Sequence, residues 1–388
     1  MRTALTASLL LTPGEQVRQP LLLLEDGRIA EVSSRDRSEV PPNVRVVDFP
    51  GAVLAPGLVD IHIHGGAGYD VMQADVEALP AIARQLARCG VTSYFPTTVT
   101  APLDATLKAV ENLAKAVESA ERYPADELRA QPMGLHLEGP FISHAKRGVH
   151  PPEHLLAPSC EVFERLRQAA KGRVSVMTVA PELPDAPDLI AEATRCGVIC
   201  SLGHSDSTLE PAQVAIAAGA RHATHTFNAM RPLDHRDPGI LAAVLADERL
   251  TADIIADGVH VHPAVVELFL RTKGRERAVL ISDAISATGM GDGRFRLGQF
   301  EVEVQGDRCL FQDRLAGSVL TLDRAVRNVM QFARWELAEA LPLATVNPAR
   351  VVGIDGKKGV IAPGADADIV VLTPRGEVVK TIARGVGV

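Results

Sequence analysis

Two histidines stand one residue apart in the segment Asp60-Ile-His-Ile-His-Gly, which continues an apolar run typical of a buried β-strand. Side chains of a strand alternate between its two faces, so His62 and His64 point the same way. Paired imidazoles at a strand end can bind a transition metal. The alternative is that His62 and His64 are structural residues, two polar side chains that close the end of a barrel. We favour half of a metal site, because histidine is uncommon in protein cores.

Three further ligand-type residues follow other predicted strands. Glu138 is followed at once by Gly-Pro, His204 by Ser-Asp, and His225 by Thr-Phe-Asn. Each alone could be a surface or capping residue, but their joint placement at strand ends predicts a metal centre. We therefore expect one or two divalent metal ions per subunit. Nitrogen and oxygen ligands favour zinc here and leave iron, manganese and cobalt as alternatives.

A carboxylate ends the last predicted strand, in the segment Leu280-Ile-Ser-Asp-Ala. A carboxylate beside a metal-activated water can accept a proton and later deliver it to a leaving group. The structural alternative is a helix N-cap, a common use of Ser-Asp. The position of Asp283 opposite the histidines favours catalysis.

Four residues suggest recognition of an anion. Asn228 and Ala229 follow a strand end, where free backbone N–H groups can point at a phosphate. Arg236 carries a guanidinium suited to phosphate, although it could instead be solvated or paired with the aspartates beside it. His260 ends the loop after the seventh strand. A further loop residue, His150, is placed where it could polarise a carbonyl group.

The elements that must position these residues alternate along the middle of the chain. Helical patterns, among them 76–89, 103–120, 209–218 and a final stretch over 322–341, separate eight apolar segments. These eight strand candidates are 58–64, 91–96, 134–138, 174–179, 198–203, 222–226, 252–257 and 279–283. The alternation predicts an α/β fold, a metal-dependent (β/α)8 TIM barrel with its site at the carboxyl ends of the strands.

The two ends of the chain have a different pattern. Short apolar runs separated by turns, such as 21–24 and 29–32 around an Asp-Gly pair, predict β-hairpins. We expect residues 1–54 and 346–388 to form a small β-sandwich domain, and 55–345 to form the barrel. The segment 295–311 interrupts the strand–helix alternation and is predicted to be an inserted β-hairpin.

Composition excludes several classes of partner. The chain of 388 residues carries 40 Lys+Arg against 48 Asp+Glu, a net charge of −8, and 4% aromatic residues. Without a basic run, neither nucleic acid nor an anionic membrane is an expected partner. No apolar run is long enough to span a bilayer. The five cysteines form no CxxC pair, which favours free thiols and a cytoplasmic location.

The chain resembles the N-acetylglucosamine-6-phosphate deacetylases of the amidohydrolase superfamily over nearly its whole length. The motif Pro56-Gly-Leu-Val-Asp-Ile-His-Ile-His-Gly is common to many amidohydrolases. Sharper matches are His136-Leu-Glu-Gly-Pro-Phe, Leu202-Gly-His-Ser, His222-Ala-Thr-His-Thr-Phe-Asn-Ala-Met, Asp257-Gly-Val-His and Ser282-Asp-Ala. Related hydantoinases and dihydroorotases use a carboxylated lysine at a strand end, and the segment 174–179 contains no lysine.

The resemblance implies a role for each matched residue. Glu138, His204 and His225 match the ligands of a principal metal, and His62 and His64 allow a second metal that Glu138 bridges. The other matched roles are a catalytic acid and base (Asp283), a residue near the acetyl carbonyl (His150), phosphate contacts (Asn228, Ala229, His260), and a loop beside the sugar (Leu315, Gly317). Arg236 matches an arginine that reaches the phosphate from the neighbouring subunit, which implies a homodimer.

The implied activity is hydrolysis of the acetamide of N-acetyl-D-glucosamine 6-phosphate to D-glucosamine 6-phosphate and acetate. Such a reaction serves amino-sugar catabolism or cell-wall recycling. One alternative is an amidohydrolase of other specificity, acting on another N-acetylhexosamine phosphate or by deamination. A second is a non-catalytic barrel that senses a sugar phosphate. A sensor would be expected to lack a metal ligand or Asp283, and this chain lacks neither.

Overall fold

The computed structural model describes residues 2–73, 78–122 and 127–388. The predicted helix 76–89 begins outside these residues, and its described part runs over Ala78–Arg88. Within the described ranges, we find no helix that combines the length and the apolar character needed to cross a membrane.

The strands and helices are numbered in chain order. The strands are β1 (Arg2–Thr12), β2 (Glu15–Arg18), β3 (Pro20–Glu25), β4 (Arg28–Ser34), β5 (Arg45–Pro56), β6 (Leu58–Ile63), β7 (Gly65–Gly66), β8 (Tyr69–Asp70), β9 (Val91–Thr98), β10 (Gln131–Pro132), β11 (Leu135–Glu138), β12 (Val174–Val179), β13 (Ile199–Leu202), β14 (His222–Ala223), β15 (Ala252–Ile254), β16 (Ala278–Leu280), β17 (Gly293–Leu297), β18 (Phe300–Gln305), β19 (Arg308–Phe311), β20 (Arg314–Leu315), β21 (Ile369–Leu372) and β22 (Val378–Ile382). The α-helices are α1 (Ala78–Arg88), α2 (Leu103–Arg122), α3 (Cys160–Ala169), α4 (Ala186–Arg195), α5 (Leu209–Ala218), α6 (Gly239–Ala246), α7 (Pro263–Arg277), α8 (Leu322–Ala333), α9 (Leu337–Ala340) and α10 (Val346–Val351). Three short 3₁₀ helices cover His144–Lys146, Pro152–His154 and Leu341–Ala344.

Strands from both ends of the chain pair in one seven-stranded sheet. Its order is β22-β21-β5-β1-β3-β4, with β2 paired to β1. The β3–β4 hairpin turns at Asp26 and Gly27, whose φ angles of 49° and 76° are those of a type I′ turn. Gly27 is also required by close packing, because a Cβ there would lie 2.8 Å from the carbonyl oxygen of Arg384.

A curled parallel sheet, a half-barrel, occupies the middle of the chain. Its order is β10-β9-β11-β12-β13-β14, with β6 paired to β9, and β15 and β16 form a separate parallel pair. Backbone hydrogen bonds continue the arrangement from β14 to β15, where Thr226 N lies 2.9 Å from Asp253 O. They also link the end of β16 to β6, where Asp283 N lies 3.0 Å from His62 O.

All eight predicted strand segments contain a strand, but the last three strands are shorter than expected. Two of these strands end two or three residues before the predicted site residues His225 and Asp283. Those residues themselves have left-handed φ angles of 30° and 49°, which do not fit a strand. Asp257 ends its segment by accepting hydrogen bonds from the backbone N–H groups of Val259 and His260. The predicted helical stretch 322–341 is likewise interrupted by Arg334, at φ 56°. The sequence pattern marks the segments correctly and misses these turns.

A four-stranded antiparallel sheet, β17-β18-β19-β20, is centred on the segment 295–311. Its buried face carries Leu297, Val302 and Val304, which pack in one cluster with Val99 and Ile285. Val99 directly follows β9, and Ile285 lies two residues after Asp283. The sheet is therefore held against the end of the half-barrel at which the site residues lie.

Lys358 connects the end-strand sheet to the half-barrel. Its buried ammonium group lies 2.8 Å from Asp368 Oδ2, 2.9 Å from Asp366 Oδ2 and 3.1 Å from Gln131 Oε1. Burial alone would lower the pKa of Lys358, but the two carboxylates outweigh it and raise the pKa.

Replacing Lys358 with methionine is expected to lower the free energy of unfolding by about 3–5 kcal/mol, because it leaves the buried carboxylate of Asp368 without its cation. Urea denaturation measures the change. The adjacent exposed Lys357→Met is the matched control and is expected to have little effect. If Lys358→Met lowered the free energy of unfolding no more than the control does, the ion pairs of Lys358 would not stabilise the fold.

Candidate metal centre

Six side chains from five strand ends converge at the carboxyl edge of the half-barrel. They are His62, His64, Glu138, His204, His225 and Asp283, and each is buried. Three of them stand on residues with a left-handed backbone, since the φ angles of His204, His225 and Asp283 are 46°, 30° and 49°. The structure thus brings together the residues that the sequence pattern predicted as metal ligands and acid/base.

One oxygen of Glu138 faces two histidines. Its Oε1 atom lies 3.1 Å from His204 Nε2 and 3.0 Å from His225 Nε2, and the two nitrogen atoms are 3.1 Å apart. This nearly equilateral triangle of potential ligand atoms is one of two clusters of metal-binding type among the described residues.

The second cluster shares Glu138 with His62 and His64. The Nε2 atom of His64 lies 3.2 Å from Glu138 Oε2, and that of His62 lies 3.5 Å from Glu138 Oε1. The two Nε2 atoms are 3.1 Å apart. Because both clusters use the same carboxylate, Glu138 is placed to bridge two cations.

Hydrogen bonds on the far side of the rings decide how the nitrogen atoms face the centre. The Nδ1 atoms of His64, His204 and His225 lie 3.0, 2.8 and 3.2 Å from backbone carbonyl oxygens. A carbonyl only accepts, so each Nδ1 carries a proton and each neutral ring presents an Nε2 lone pair inward. Lone pairs facing one carboxylate at about 3 Å fit a cation between them.

Without a metal ion, protonated histidines offset the negative charges of Glu138 and Asp283. Burial alone would lower the pKa of His225, but Glu138 outweighs it and raises the pKa to about 9. The pKa of His64 is likewise raised well above its usual value by hydrogen bonds to Asp283 and Glu138, against the effect of burial. Burial opposes ionisation of Glu138, but the surrounding histidines hold its pKa well below its usual range.

Metal affinity is therefore expected to rise with pH. A divalent cation must displace the proton on His225, whose pKa lies near 9. One displaced proton gives about tenfold tighter binding per pH unit from about pH 6 to about pH 8. Titration of the metal-free protein with zinc against a chromophoric chelator measures this slope. A pH-independent affinity would show that the ligands are already deprotonated.

Asp283 faces the second cluster from the strand end beside β6, and not from the opposite side expected from the sequence. Its Oδ1 atom lies 3.2 Å from His64 Nε2 and 3.5 Å from His62 Nε2. Its backbone is fixed on both sides, since its N–H donates to His62 O and its carbonyl accepts from Ser318 N. Burial would raise the pKa of Asp283, but His64 and His62 lower it to about 2. At neutral pH the side chain is therefore a carboxylate able to accept a proton.

His150 reaches the centre from the loop after β11. Its Nε2 atom lies 3.4 Å from Glu138 Oε2, and its Nδ1 atom accepts a hydrogen bond from the backbone N–H of Thr100 at 3.2 Å. A neutral ring that accepts at Nδ1 carries its proton on Nε2. Burial lowers the pKa of His150 to about 4, which keeps the ring neutral. His150 thus offers an N–H donor at the centre.

The predicted anion-binding residues follow two neighbouring strands. The side-chain amide nitrogen of Asn228 is buried and has no hydrogen-bond partner within the described ranges. The next residue, Ala229, has a left-handed φ of 50°. His260 Nδ1 lies 2.6 Å from Asp257 Oδ2, so Asp257 fixes the ring and leaves Nε2 available.

Arg236 is a predicted site residue that lies on the exposed surface and outside the buried cluster. It lies in the exposed segment 232–237, and no hydrogen bond or ion pair of its guanidinium occurs among the residues described. Gly317 lies beside Asp283, since a Cβ at this position would be 3.4 Å from Asp283 O. Leu315 is 37% exposed at the end of β20.

Several residues that orient the site were missed from sequence. Thr100 sets the proton position on His150, Thr97 O holds His64, and Asp253 Oδ1 accepts the backbone N–H of His225. The threonines at the end of β9 and directly beyond it were the available signal for the first two. Asp257 stood in a quoted motif without an assigned role. The ring nitrogens of His136, which stands two residues before Glu138, contact Ile61 O and Thr178 Oγ1.

The chain is similar over most of its length to known proteins. A sequence model of the amidohydrolase family matches residues 53–388. The N-acetylglucosamine-6-phosphate deacetylase of Bacillus subtilis (strain 168) is 34% identical over 97% of this chain and 94% of its own length. The N-acetylgalactosamine-6-phosphate deacetylase of Escherichia coli O157:H7 is 37% identical over 96% of this chain and 95% of its own.

A solved structure is similar over almost the whole chain. It is an aspartate-to-alanine mutant of N-acetyl-D-glucosamine-6-phosphate deacetylase from Mycobacterium smegmatis, in complex with N-acetyl-D-glucosamine-6-phosphate. The TM-score is 0.91 at 34% identity, covering 99% of this chain and 98% of that one.

Proposed function

The chain belongs to the amidohydrolase family and, within it, to the N-acetylglucosamine-6-phosphate deacetylases, and from this premise we propose that it hydrolyses the acetamide of N-acetyl-D-glucosamine 6-phosphate. The products are D-glucosamine 6-phosphate and acetate. The observation that carries the proposal is the Glu138, His204 and His225 cluster with Asp283 facing the same centre. The reaction belongs to amino-sugar metabolism, in catabolism or cell-wall recycling.

The donor set fits a divalent metal ion. Glu138, His204 and His225 would hold the principal ion, and His62 and His64 would hold a second ion with Glu138. When bound, such an ion activates a water molecule and polarises a carbonyl. Imidazole and carboxylate ligands suit zinc first, and also iron, manganese and cobalt. The buried, inward-facing Nε2 lone pairs are the support for metal dependence.

Asp283 would move the proton. As a carboxylate it accepts the proton of the attacking water at Oδ1, and it then donates that proton to the amine nitrogen as the C–N bond breaks. An unprotonated amine is a poor leaving group, so both transfers are needed. The clamp on its backbone from His62 O and Ser318 N keeps this carboxylate in place during the cycle.

His150 would stabilise charge on the acetyl oxygen. Its Nε2–H is oriented by the contact between Nδ1 and Thr100 N, so the donor is aimed before the substrate binds. A preorganised donor favours the developing oxyanion more than the neutral carbonyl. The same geometry would also let His150 contact the sugar.

The phosphate would lie away from the breaking bond. Asn228 and Ala229 supply an unpartnered amide and a left-handed turn, and His260 supplies an imidazole fixed by Asp257. Binding energy from a remote phosphate can orient the acetamide. We place Leu315 and Gly317 beside the sugar, because this loop packs against Asp283.

Arg236 would complete the phosphate site across the interface of a homodimer. Its guanidinium has no partner within the described chain, and the neighbouring Leu233 is 53% exposed. Arginine is enriched at protein–protein interfaces, which is consistent with such a contact. Neither nucleic acid nor a membrane is a partner in this proposal, and the proposed location is the cytoplasm.

Replacing Arg236 with alanine is expected to lower kcat/KM on the phosphorylated sugar by about 10- to 100-fold, through a higher KM, because one charged hydrogen-bonding partner is lost. Activity on unphosphorylated N-acetylglucosamine is expected to change little. Arg375→Ala removes an equally exposed arginine as a control. Equal losses on both substrates would contradict a phosphate contact.

We also propose that the eight strands β6, β9 and β11–β16 form a closed (β/α)8 barrel over 55–345, with the insertion at 295–311. The links from β14 to β15 and from β16 to β6 support closure. Residues 1–54 and 346–388 would form the separate small β-sandwich domain, supported by their shared sheet and its own core.

A second candidate substrate is the C4 epimer, N-acetyl-D-galactosamine 6-phosphate. The Escherichia coli O157:H7 relative named for this activity is 37% identical to the chain, which lies between the 34% and 39% identities of the Bacillus subtilis and Bos taurus relatives named for the gluco sugar. Both substrates present the same acetamide to the metal centre. Their relative kcat/KM decides between them.

The decisive experiment is acetate release from both phosphorylated sugars by protein stripped with a chelator and then reconstituted with metal. Activity that disappears and returns with a divalent metal supports the reaction and its cofactor together. A folded, metal-loaded sample that releases no acetate from either sugar would overturn the substrate assignment. Release of ammonia in place of acetate would indicate a deaminase.

A further inference from the structure

A chain of buried polar groups crosses the inside of the half-barrel below the metal centre. It runs from Ser201 through Thr224, Thr178 and His136 to the carbonyl oxygen of Ile61. The successive distances are 2.5, 2.9, 2.8 and 3.1 Å. Its four side chains belong to residues that are at most 1% exposed. We call this series of hydrogen bonds the interior strap.

The direction of every hydrogen bond in the strap follows from its last member. Ile61 O can only accept, so His136 Nδ1 carries the proton of the neutral ring, and its Nε2 must accept. Thr178 therefore donates its hydroxyl proton to His136, and Thr224 donates to Thr178. Ser201 in turn donates to Thr224. Each of the two threonine hydroxyls donates once and accepts once, so the strap is fully satisfied between Ser201 and Ile61.

The strap joins strands that are not neighbours in the sheet. The bond from His136 in β11 to Ile61 in β6 passes over β9, and the bond between Thr178 in β12 and Thr224 after β14 passes over β13. Ladder hydrogen bonds between adjacent strands hold their spacing but leave the curvature of the sheet free to vary. Bonds across the concave face fix that curvature.

Each end of the strap is close in sequence to a metal-ligand candidate. Ile61 directly precedes His62, and Thr224 directly precedes His225. His136 stands two residues before Glu138, and Ser201 three residues before His204. Thr178 lies on the intervening strand β12, from which no member of the two metal-binding clusters comes. The strap fixes the curvature of the sheet, and this curvature in turn determines how far apart the ligand atoms lie.

We propose that the interior strap positions the metal ligands, with Thr178 and His136 as its central positioning residues. The inference rests on the proposed metal centre and deepens it. None of the four strap side chains is assigned to a metal ion or to substrate, so they act through the strands. A hydrogen-bonded support of this kind is expected to contribute to metal affinity as the direct partners of metal ligands do.

The test is the metal affinity of Thr178→Val, which keeps the side-chain shape and removes the central hydroxyl. The change leaves His136 Nε2 without a donor and the Thr224 hydroxyl without an acceptor. Cobalt(II) and zinc affinities are measured by competition with a chromophoric chelator, together with the visible absorption spectrum of the cobalt form. We expect about a 10-fold or larger loss of affinity and a changed cobalt spectrum. Thr178→Ser restores the hydroxyl and is expected to recover both.

Two further variants keep the test falsifiable. Ser201→Ala removes only the first donor and leaves no buried donor unpaired, so its loss of affinity is expected to be smaller than that of Thr178→Val. Thr381→Val, in β22, removes a buried hydroxyl that has no partner among the described residues, and controls for the chemical change itself. Circular dichroism of each metal-free variant reports whether it folds.

The outcomes separate this inference from the metal centre on which it depends. If the unaltered protein binds neither ion, the proposed metal centre is wrong. If it binds metal, and folded Thr178→Val has the affinity and cobalt spectrum of the unaltered protein, the strap does not position the ligands. If Thr178→Val does not fold, an unchanged affinity in both Thr224→Val and Ser201→Ala, which remove other hydroxyls of the strap, overturns the inference. Loss only in stability, equal to that of Thr381→Val, also overturns it.

Discussion

Replacing Asp283 with asparagine is expected to lower kcat by about 1,000-fold while leaving the metal content unchanged, because general acid and base catalysis contributes on this scale. The carboxamide nearly matches the carboxylate in size but cannot accept the proton of the attacking water. The pKa of Asp283 is lowered to about 2, so the native side chain is ionised at any pH near neutrality. Acetate release from N-acetylglucosamine 6-phosphate and metal analysis of the same sample measure both quantities.

Two results would contradict this role of Asp283. Loss of metal along with activity would make the residue a ligand, and retention of activity would remove it from the proton transfer. Asp36→Asn is a suitable control, since it makes the same chemical change on an exposed residue far along the chain from the site. It is expected to leave both kcat and metal content unchanged.

Replacing Glu138 with glutamine is expected to remove all bound metal and with it nearly all activity. The carboxylate belongs to both ligand clusters, with Oε1 facing His204 and His225 and Oε2 facing His64. A neutral amide also loses the negative charge that offsets a divalent cation. Metal content per subunit, measured by elemental analysis after gel filtration, is expected to fall from one or two ions to near zero.

The matched variant is His62→Asn, which changes only the second cluster. It is expected to keep the ion held by Glu138, His204 and His225 and to lose the other one. A difference between the two variants therefore reports whether Glu138 is shared. If Glu138→Gln retained the same metal content as His62→Asn, the carboxylate would not be a ligand of the principal ion.

The sequence was sufficient for the strands and for the direction of many side chains. Apolar runs of strand length, separated by helical patterns, predicted all eight strand segments, and period-two alternation predicted that His62 and His64 share a face. The same patterns predicted the β3–β4 hairpin at Asp26 and Gly27. These features depend on local chemistry within a few residues.

Strand ends were less predictable because they depend on left-handed residues. His225 and Asp283 are ordinary by composition, yet each turns the chain out of its strand. Nothing in their local sequence requires a positive φ, and contacts from distant strands hold it. The backbone of Asp283, for example, is bonded to His62 on one side and to Ser318 on the other.

The tertiary structure alone decided how the side chains are protonated and supported. His150 carries its proton on Nε2 because Thr100, 50 residues earlier, donates to Nδ1. The hydrogen-bond partners of His136, which are Ile61 and Thr178, lie 75 and 42 residues away in the sequence. Sequence periodicity shows which face a residue occupies, whereas its hydrogen-bond partner depends on which strands the curled sheet brings together.

The sequence by itself thus determined the types of chemistry available, namely imidazoles and carboxylates at strand ends, a further carboxylate, and candidate residues for binding a phosphate. Only the tertiary structure decided that Asp257 fixes His260, and that the interior strap lies below the two ligand clusters. The physical reason is the distance along the chain over which each effect acts. Residue type and alternation act over a few positions, while the geometry of a metal centre depends on atoms brought within about 3 Å by strands far apart in the chain.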